Sequence, residues 1–309
     1  MTRPAVRPSP SRLAVAAVLA ALLFPATLRA GDLVRGVRGK LSAGDLASGE
    51  AAVEEYRKKS GVDAEYLDAL GWLSRGAEML GKRDKASAWV AELRREIPQE
   101  KPELLIPFGA AIEVEGKLRL ASEGRGAAIR FLEAELGRAK DPALRSRIRK
   151  NLDLLTLEGE RAPELDGTET LAGPPVKLSA LAGRPVLLFF WAHWCGDCKA
   201  EAAKLGRLRE RYGDKLAIVA PTRLYGTAAD NKEAPPAEEK AHAAKAFAET
   251  YPGLSGVSVP LSTETMVRYG ASATPTYALL DGQGRVRLYT PTRLTEAELS
   301  RRIDALLAE

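Results

Sequence analysis

An all-α region of helical hairpins followed by an α/β domain is the fold class this sequence predicts, and three observations predict it. From residue 31 to about Arg161 apolar residues recur at helical spacing with almost no strand signal. Past Arg161, Pro, Gly and β-branched residues return, and short apolar runs alternate with helical patterns. Both cysteines of the 309-residue chain, Cys195 and Cys198, lie two residues apart straight after one of those runs. The division read from this is residues 1–30 as an export segment, 31–160 as the helical domain and 161–309 as the α/β domain.

The first thirty residues carry Arg3, Arg7, Arg12 and Arg29 and no acid, which leaves 42 basic against 41 acidic residues in the remainder. The formal charge of +5 is therefore mostly local, and the near-neutral body offers no electrostatic footprint for nucleic acid. Arg3, Arg7 and Arg12 precede the apolar run Leu13 to Phe24, Pro25 ends it, and "ATLRA" follows, the layout of a secretory signal. The run is short for a membrane span of ~20 residues. Leu28 is large for the −3 position, so cleavage after Ala30 and an uncleaved anchor both stand as readings. Either way the protein is expected to be exported to the periplasm.

In the helical region Tyr66, Leu70, Leu73, Ala77 and Leu80 form one stripe. Gly81 and Asp84 make a turn, and Ala86, Trp89, Val90 and Leu93 form a second stripe that ends at Pro98. This resembles a tetratricopeptide-type hairpin. Ile129, Leu132 and Leu136, then Leu144, Ile148, Leu152 and Leu155, echo it. The 41-residue step from Ala86 to Ala127 is irregular, so a plain helical bundle is the competing reading.

The α/β domain opens at "RAPELDG". "PVLLFFW" (185–191) is short and continuously apolar, the mark of a strand buried on both faces. A helix is expected from Cys195 to about Tyr212, and "LAIVA" (216–220) as a parallel partner strand. Thr222 to Lys240 is a polar loop, followed by helices from about Ala237 to Thr250 and from Thr263 to Tyr269. "TYALL" and "VRLY" form a hairpin about the turn Asp281–Gly284. The last helix, Thr295 to Leu307, begins with a capping box of Thr295 and Glu298.

A Cys-x-x-Cys pair serves as a metal half-site or as a redox dithiol. Structural zinc takes four Cys or His ligands, and only His193 and His242 could supplement these two, so no structural metal is expected. A strand-to-helix junction favours a reversible disulfide. There the free N–H groups and the dipole of the helix start favour the Cys195 thiolate, the attacking species, and Cys198 one turn on can release the mixed disulfide.

"RPVLLFFWAHWCGDCKAE", together with "APELDG", "LSALAGRPV" and "GASATPTYALLDGQGRV", resembles the TlpA/ResA-type thiol-disulfide oxidoreductases of the thioredoxin superfamily. The resemblance covers Ala162 to Glu309 and implies a thioredoxin-like domain, a central mixed sheet flanked by helices, with no cofactor beyond its own dithiol. It implies that Cys195 is the exposed nucleophile and Cys198 the buried resolving thiol. It places Trp194 and the cis-proline loop of Thr274 and Pro275 against the substrate. A cis X–Pro bond leaves the backbone of residue 274 free to pair with an extended substrate.

Two departures carry information. Thioredoxin itself has a buried acid where Phe189 stands. Cys198, Glu201, Leu205, Leu208 and Tyr212 share one helix face, so Glu201 falls in an apolar stripe, as in the CxxCxxE pattern of the TlpA/ResA group. Buried there, it is expected to titrate high and to take the proton of Cys198. On a solvated edge it would be a bystander. The second departure is Gly196-Asp197 between the cysteines. A negative Asp197 opposes the Cys195 thiolate and favours a reductant. His193 would act oppositely if protonated, or is simply a loop residue.

These readings make the protein an enzyme, an exported protein disulfide oxidoreductase. Its partners would be a disulfide-containing protein substrate and an upstream thiol donor, with the helical domain free to bind a further protein. The competing reading is a protein-binding helical module with a vestigial thioredoxin domain. A copper chaperone is a third, though such proteins space their cysteines CxxxC with a distal His, for which only His242 is available.

Overall fold

The computed structural model describes residues 31–309. The expected export signal falls on residues 1–30, outside the described residues. No helix among the described residues is long and apolar enough to cross a membrane.

Among the described residues seven α-helices come first: α1 (Asp32–Ser42), α2 (Leu46–Ser60), α3 (Ala64–Met79), α4 (Arg83–Glu96), α5 (Leu105–Glu123), α6 (Arg125–Arg138) and α7 (Pro142–Thr156). Local chemistry sets several of their ends. Asp45, Asp63 and Asp141 each accept a backbone N–H of the first turn of α2, α3 and α7, and Pro142 occupies the first turn of α7, where its missing N–H costs nothing. Between α3 and α4, Gly81 adopts φ 70°, and the Lys82 N–H returns to the Ala77 carbonyl, so the chain reverses within a few residues. The two stripes of this hairpin are buried at Tyr66, Leu70, Leu73, Ala77, Ala86, Val90 and Leu93. Leu80, expected on the first stripe, is 46% exposed because α3 ends one residue before it. The long helix α5 separates this hairpin from the α6–α7 pair, which accounts for the 41-residue step. Helices α3 and α5 approach closely at Gly71, where a Cβ would come within 3.0 Å of Ala110 Cβ.

The second half contains a four-stranded mixed sheet, in the order β3-β2-β5-β6. Strand β2 (Val186–Phe190) pairs in parallel with β3 (Ala217–Val219) after a helical connection, and antiparallel with β5 (Thr276–Leu280). Strand β5 continues through the Asp281–Gly284 turn into β6 (Val286–Thr290). The predicted continuous helix from Cys195 is broken at Glu201 into α8 (Gly196–Ala200) and α9 (Ala202–Tyr212). Helices α10 (Pro236–Thr250), α11 (Thr263–Arg268) and α12 (Glu296–Leu307) complete the layers. The Thr295 hydroxyl caps α12, accepting the Glu298 N–H at 3.2 Å. Two short strands that the sequence did not announce, Thr170–Ala172 (β1) and Val259–Pro260 (β4), make a separate antiparallel pair.

Every residue of β2 is buried, and alternation divides them between two cores. Leu187, Phe189 and Trp191 enter the core that also holds Cys195 and Cys198. Val186, Leu188 and Phe190 face Met266 and Tyr269 on the other side. The helical half docks on that second side: α7 packs on α11, with the Ser146 hydroxyl donating to the Met266 carbonyl at 3.3 Å. Residues 159–162 run along β6 as a further extended segment, with Gly159 N–H to Val286 O at 2.8 Å and Ala162 N–H to Gly284 O at 2.9 Å. The dithiol therefore lies across the sheet from the docked helices.

Candidate functional site

The site is built where β2 leaves the sheet. Trp191, 1% exposed, anchors that exit: its ring packs on Phe247 and Tyr251, its indole N–H donates to Ala220 O at 3.0 Å, and its carbonyl accepts the Thr222 hydroxyl at 2.7 Å. Three residues on, Trp194 emerges 47% exposed, and Cys195 becomes the N-cap of α8. Cys195 and Cys198 are joined in a disulfide with a Cα–Cα separation of 5.2 Å. Cys195 Sγ accepts the Cys198 N–H at 3.1 Å, so the free N–H groups of a helix start point at this sulfur. The Thr274–Pro275 bond is cis, and the Thr274 carbonyl oxygen lies 3.4 Å from Cys195 Sγ. Trp194, Cys195, Cys198 and the cis Thr274–Pro275 bond thus meet at the start of α8. One detail differs from the expected exposed nucleophile: Cys195 is 4% exposed in this disulfide form and Cys198 is fully buried, with the Thr274 carbonyl standing over Cys195 Sγ.

The stripe of α8–α9 is buried throughout, so Glu201, 2% exposed, is an interior carboxylate and not a solvated edge. Its charge state overturns the expectation of a high titration point. Burial pushes its pKa up, but hydrogen bonds from Lys204, Tyr277 and Arg293 outweigh that and hold it below the ordinary Glu range. The Tyr277 hydroxyl donates to Oε2 at 2.6 Å and Arg293 Nε to Oε1 at 2.9 Å, and the Lys204 ammonium shares Oε2. Tyr277 responds oppositely, its pKa raised by burial and then by its bond to Glu201. Phe189, in the place of thioredoxin's acid, packs its ring on Tyr251 and Tyr277, with centroids 5.7 and 5.4 Å apart.

Asp197 projects into solvent on α8, and Arg293 Nη1 stands 3.6 Å from its carboxylate. The opposing charge the sequence attributes to Asp197 is thus offset by a cation 96 residues on. Gly196 is exposed beside it and touches nothing a side chain would meet. His193 is no bare loop residue: it is 3% exposed, with Nε2 3.3 Å from Glu239 and its ring edge-to-face with His242. Burial lowers its pKa against the pull of Glu239, so neutral imidazole is favoured and the thiolate-supporting cation is not supplied. No group of three His, Cys, Asp or Glu among the described residues could hold a metal ion.

Lys204, Tyr277, Arg293 and Glu239 escaped the sequence reading. Lys204 alone had a local signal, standing three residues after Glu201; the others arrive from other elements.

The redox geometry has counterparts among known proteins. The Redoxin family model matches residues 157–300. Thioredoxin-like protein YneN of Bacillus subtilis is 30% identical over 150 residues, covering 48% of this chain and 79% of YneN. The chain belongs to the thioredoxin superfamily, among its TlpA/ResA-like members. Thiol-disulfide oxidoreductase ResA of Bacillus cereus is 29% identical over 129 residues, 41% of this chain and 66% of ResA. The chain therefore spans just under two thirds of ResA's length. A solved thiol:disulfide interchange protein of the thioredoxin family from Chlorobium tepidum aligns at 18% identity and a TM-score of 0.38, over 48% of this chain and 95% of its own. With the Redoxin match and the ResA relative, the TlpA/ResA-like chain is a thioredoxin-like disulfide oxidoreductase. The Redoxin match begins past α7, so it covers none of the seven N-terminal helices.

Proposed function

We propose that this TlpA/ResA-like protein is exported, residues 1–30 being its signal, and reduces disulfides in protein substrates through Cys195 and Cys198. Residues 31–160 form its helical domain, which offers a surface to a further protein, and 161–309 its redox domain. The observation that carries the reading is the dithiol at the start of α8 with the Thr274 carbonyl 3.4 Å from Cys195 Sγ. The Cys195 thiolate attacks one sulfur of a substrate disulfide, the substrate S–S bond breaks, and its leaving thiolate takes a proton from water. Cys198, deprotonated, then attacks Cys195 Sγ. That forms the intramolecular disulfide and frees the second substrate thiol, so two electrons pass to the substrate. A thiol donor must then reduce Cys195–Cys198 again.

A substrate segment in extended form would pair with the backbone at Thr274 beside Pro275 and rest against Trp194. The direction of electron flow is supported by charge balance. Asp197 and Glu201 are matched by Arg293 and Lys204, so little beyond the helix start stabilises the Cys195 thiolate, and the dithiol form remains costly. Glu201, on the Cys198 face of α8–α9, is the proposed acceptor of the Cys198 proton, and its three donors make it a weaker base than the raised-pKa carboxylate the sequence suggested.

Mechanism-based trapping tests this reading. In insulin reduction with dithiothreitol as donor, Cys195→Ser is expected to be inactive and to form no adduct. Cys198→Ser is expected to accumulate mixed disulfides, resolved as gel-shifted bands that vanish on reduction. Adducts formed by Cys195→Ser, or full turnover in either variant, would refute the assignment.

A further inference from the structure

One buried carboxylate ties the segment just before Cys195 to two other pieces of chain. Glu239, on the first turn of α10, is 1% exposed. Its Oε1 accepts the Tyr225 N–H at 2.5 Å and lies 3.3 Å from His193 Nε2, while Oε2 accepts the Gly226 N–H at 2.7 Å. Two backbone donors on one carboxylate fix the course of the chain that follows β3, since each is a charge-assisted bond out of water. The third contact fastens that chain to the segment two residues before Cys195.

The consequence shows at the surface. Held this way, the Tyr225 ring meets exposed Trp194 edge-on, centroids 5.3 Å apart, and Arg223 lays its guanidinium over Tyr225 at 4.4 Å. The Tyr225 ring is thus set against the residue that precedes the attacking Cys195, and Trp194 is half open to solvent. Past Tyr225 a shallow recess of about 590 Å³ continues between Gly226, Thr227, Glu233 and Pro235. Aromatic faces with a stacked guanidinium are surfaces on which peptide side chains gain contact area at low entropic cost.

We propose that Glu239 is a positioning residue and that the Trp194–Tyr225–Arg223 wall it holds selects polypeptide disulfides over small ones. The inference rests on Cys195 being the attacking thiol, and extends it. A polypeptide cystine engaged at Cys195 carries flanking residues along the whole wall and into the recess, whereas oxidised glutathione or an aromatic disulfide touches Trp194 at most and stops short of the recess.

The test compares insulin with 5,5′-dithiobis(2-nitrobenzoate), using full-length wild type, Glu239→Ala, Tyr225→Ala and Tyr225→Phe. With insulin, KM is expected to rise at least fivefold in Glu239→Ala and Tyr225→Ala, with kcat within twofold. The ratio of insulin to small-disulfide kcat/KM should fall by the same fivefold or more. Tyr225→Phe, which keeps the ring and loses only a hydroxyl 3.4 Å from the Trp191 carbonyl, is expected to restore both. Glu249→Gln, on the exposed last turn of α10, is the control that leaves the ratio unchanged. Equal loss on both substrates, an unchanged KM, or no rescue by Tyr225→Phe overturns the proposal. Should Glu239→Ala not fold, the Tyr225 pair decides alone. A wild type inert toward both disulfides would instead contradict the proposed exchange reaction.

Discussion

Glu201 and Asp153 lie in different halves of the molecule, both out of water at 2% and 3% exposure, and they hold their protons oppositely. Glu201, in the redox half, titrates below the ordinary Glu range because Lys204, Tyr277 and Arg293 all donate to it against the cost of burial. Asp153, on α7 where the helical half meets the sheet, is pushed up to about 7 by burial, with Arg149 opposing. Arg149 comes only to 3.9 Å of Oδ1, and Oδ2 has no hydrogen-bond partner. Solvent exposure is nearly the same in the two places, though Asp153 lies under more surrounding protein. The donors each carboxylate receives also separate them, so a buried acid in a helix stripe does not by itself imply a high pKa.

The same substitution should therefore act with opposite sign at the two positions. Glu201→Gln removes the charge partner of the Lys204 ammonium, which is 7% exposed and is left with neutral acceptors, the Leu294 carbonyl among them. An uncompensated buried charge costs about 3–5 kcal/mol, so urea unfolding should show a loss of that size. A change within ~0.5 kcal/mol, as expected of a surface residue, would break the comparison. Resolution of the mixed disulfide should also slow in this variant, seen by stopped-flow as a delayed second phase after normal adduct formation.

Asp153→Asn is the smaller, opposite effect. It removes a poorly compensated buried acid from the junction and should raise stability at pH 8 by about 1–3 kcal/mol, the cost range of a buried unsatisfied group. Its pH signature follows from linkage. Between the unfolded value near 4 and the folded value of about 7, the native state holds a proton that the unfolded chain has lost. Wild-type stability therefore falls with rising pH across that window. The advantage of Asp153→Asn should grow from pH 4 to 7 and level off above. Glu201 contributes in the other direction, its stabilisation present above the ordinary Glu value and lost as pH falls below it.

How much of this was readable from the sequence follows the range of the contacts. The 3-4-3-4 spacing of Cys198, Glu201, Leu205, Leu208 and Tyr212 correctly buried Glu201, because burial on a helix face is a local, periodic property. Its charge was illegible, since Tyr277 and Arg293 come from 76 and 92 residues away. Asp153 gave no signal at all. Leu144, Ile148, Leu152 and Leu155 mark a single apolar face of α7, yet Ser146, Asn151 and Asp153 are buried as well, because α11 and β6 cover the other side. The four sheet strands were legible from their apolar runs. Strands β1 and β4 are too short to carry periodicity.

Asp197 provides the smallest and sharpest check on the role of donors. Arg293 bridges Asp197 and Glu201, so Asp197→Asn should move the dithiol potential upward by no more than about 20 mV, about 1 kcal/mol for two electrons. Equilibration against a glutathione buffer reads this directly. A larger upward shift would mean that Arg293 does not offset the charge.

The most direct measurement is a carboxyl carbon NMR titration of the oxidised protein, with Glu201 and Asp153 assigned through Glu201→Gln and Asp153→Asn. Glu201 is expected to titrate below the ordinary Glu value of about 4.5 and Asp153 at about 7. A Glu201 midpoint at or above that of Asp153 would contradict the account, because burial and not donor count would then govern the carboxylate beside the dithiol.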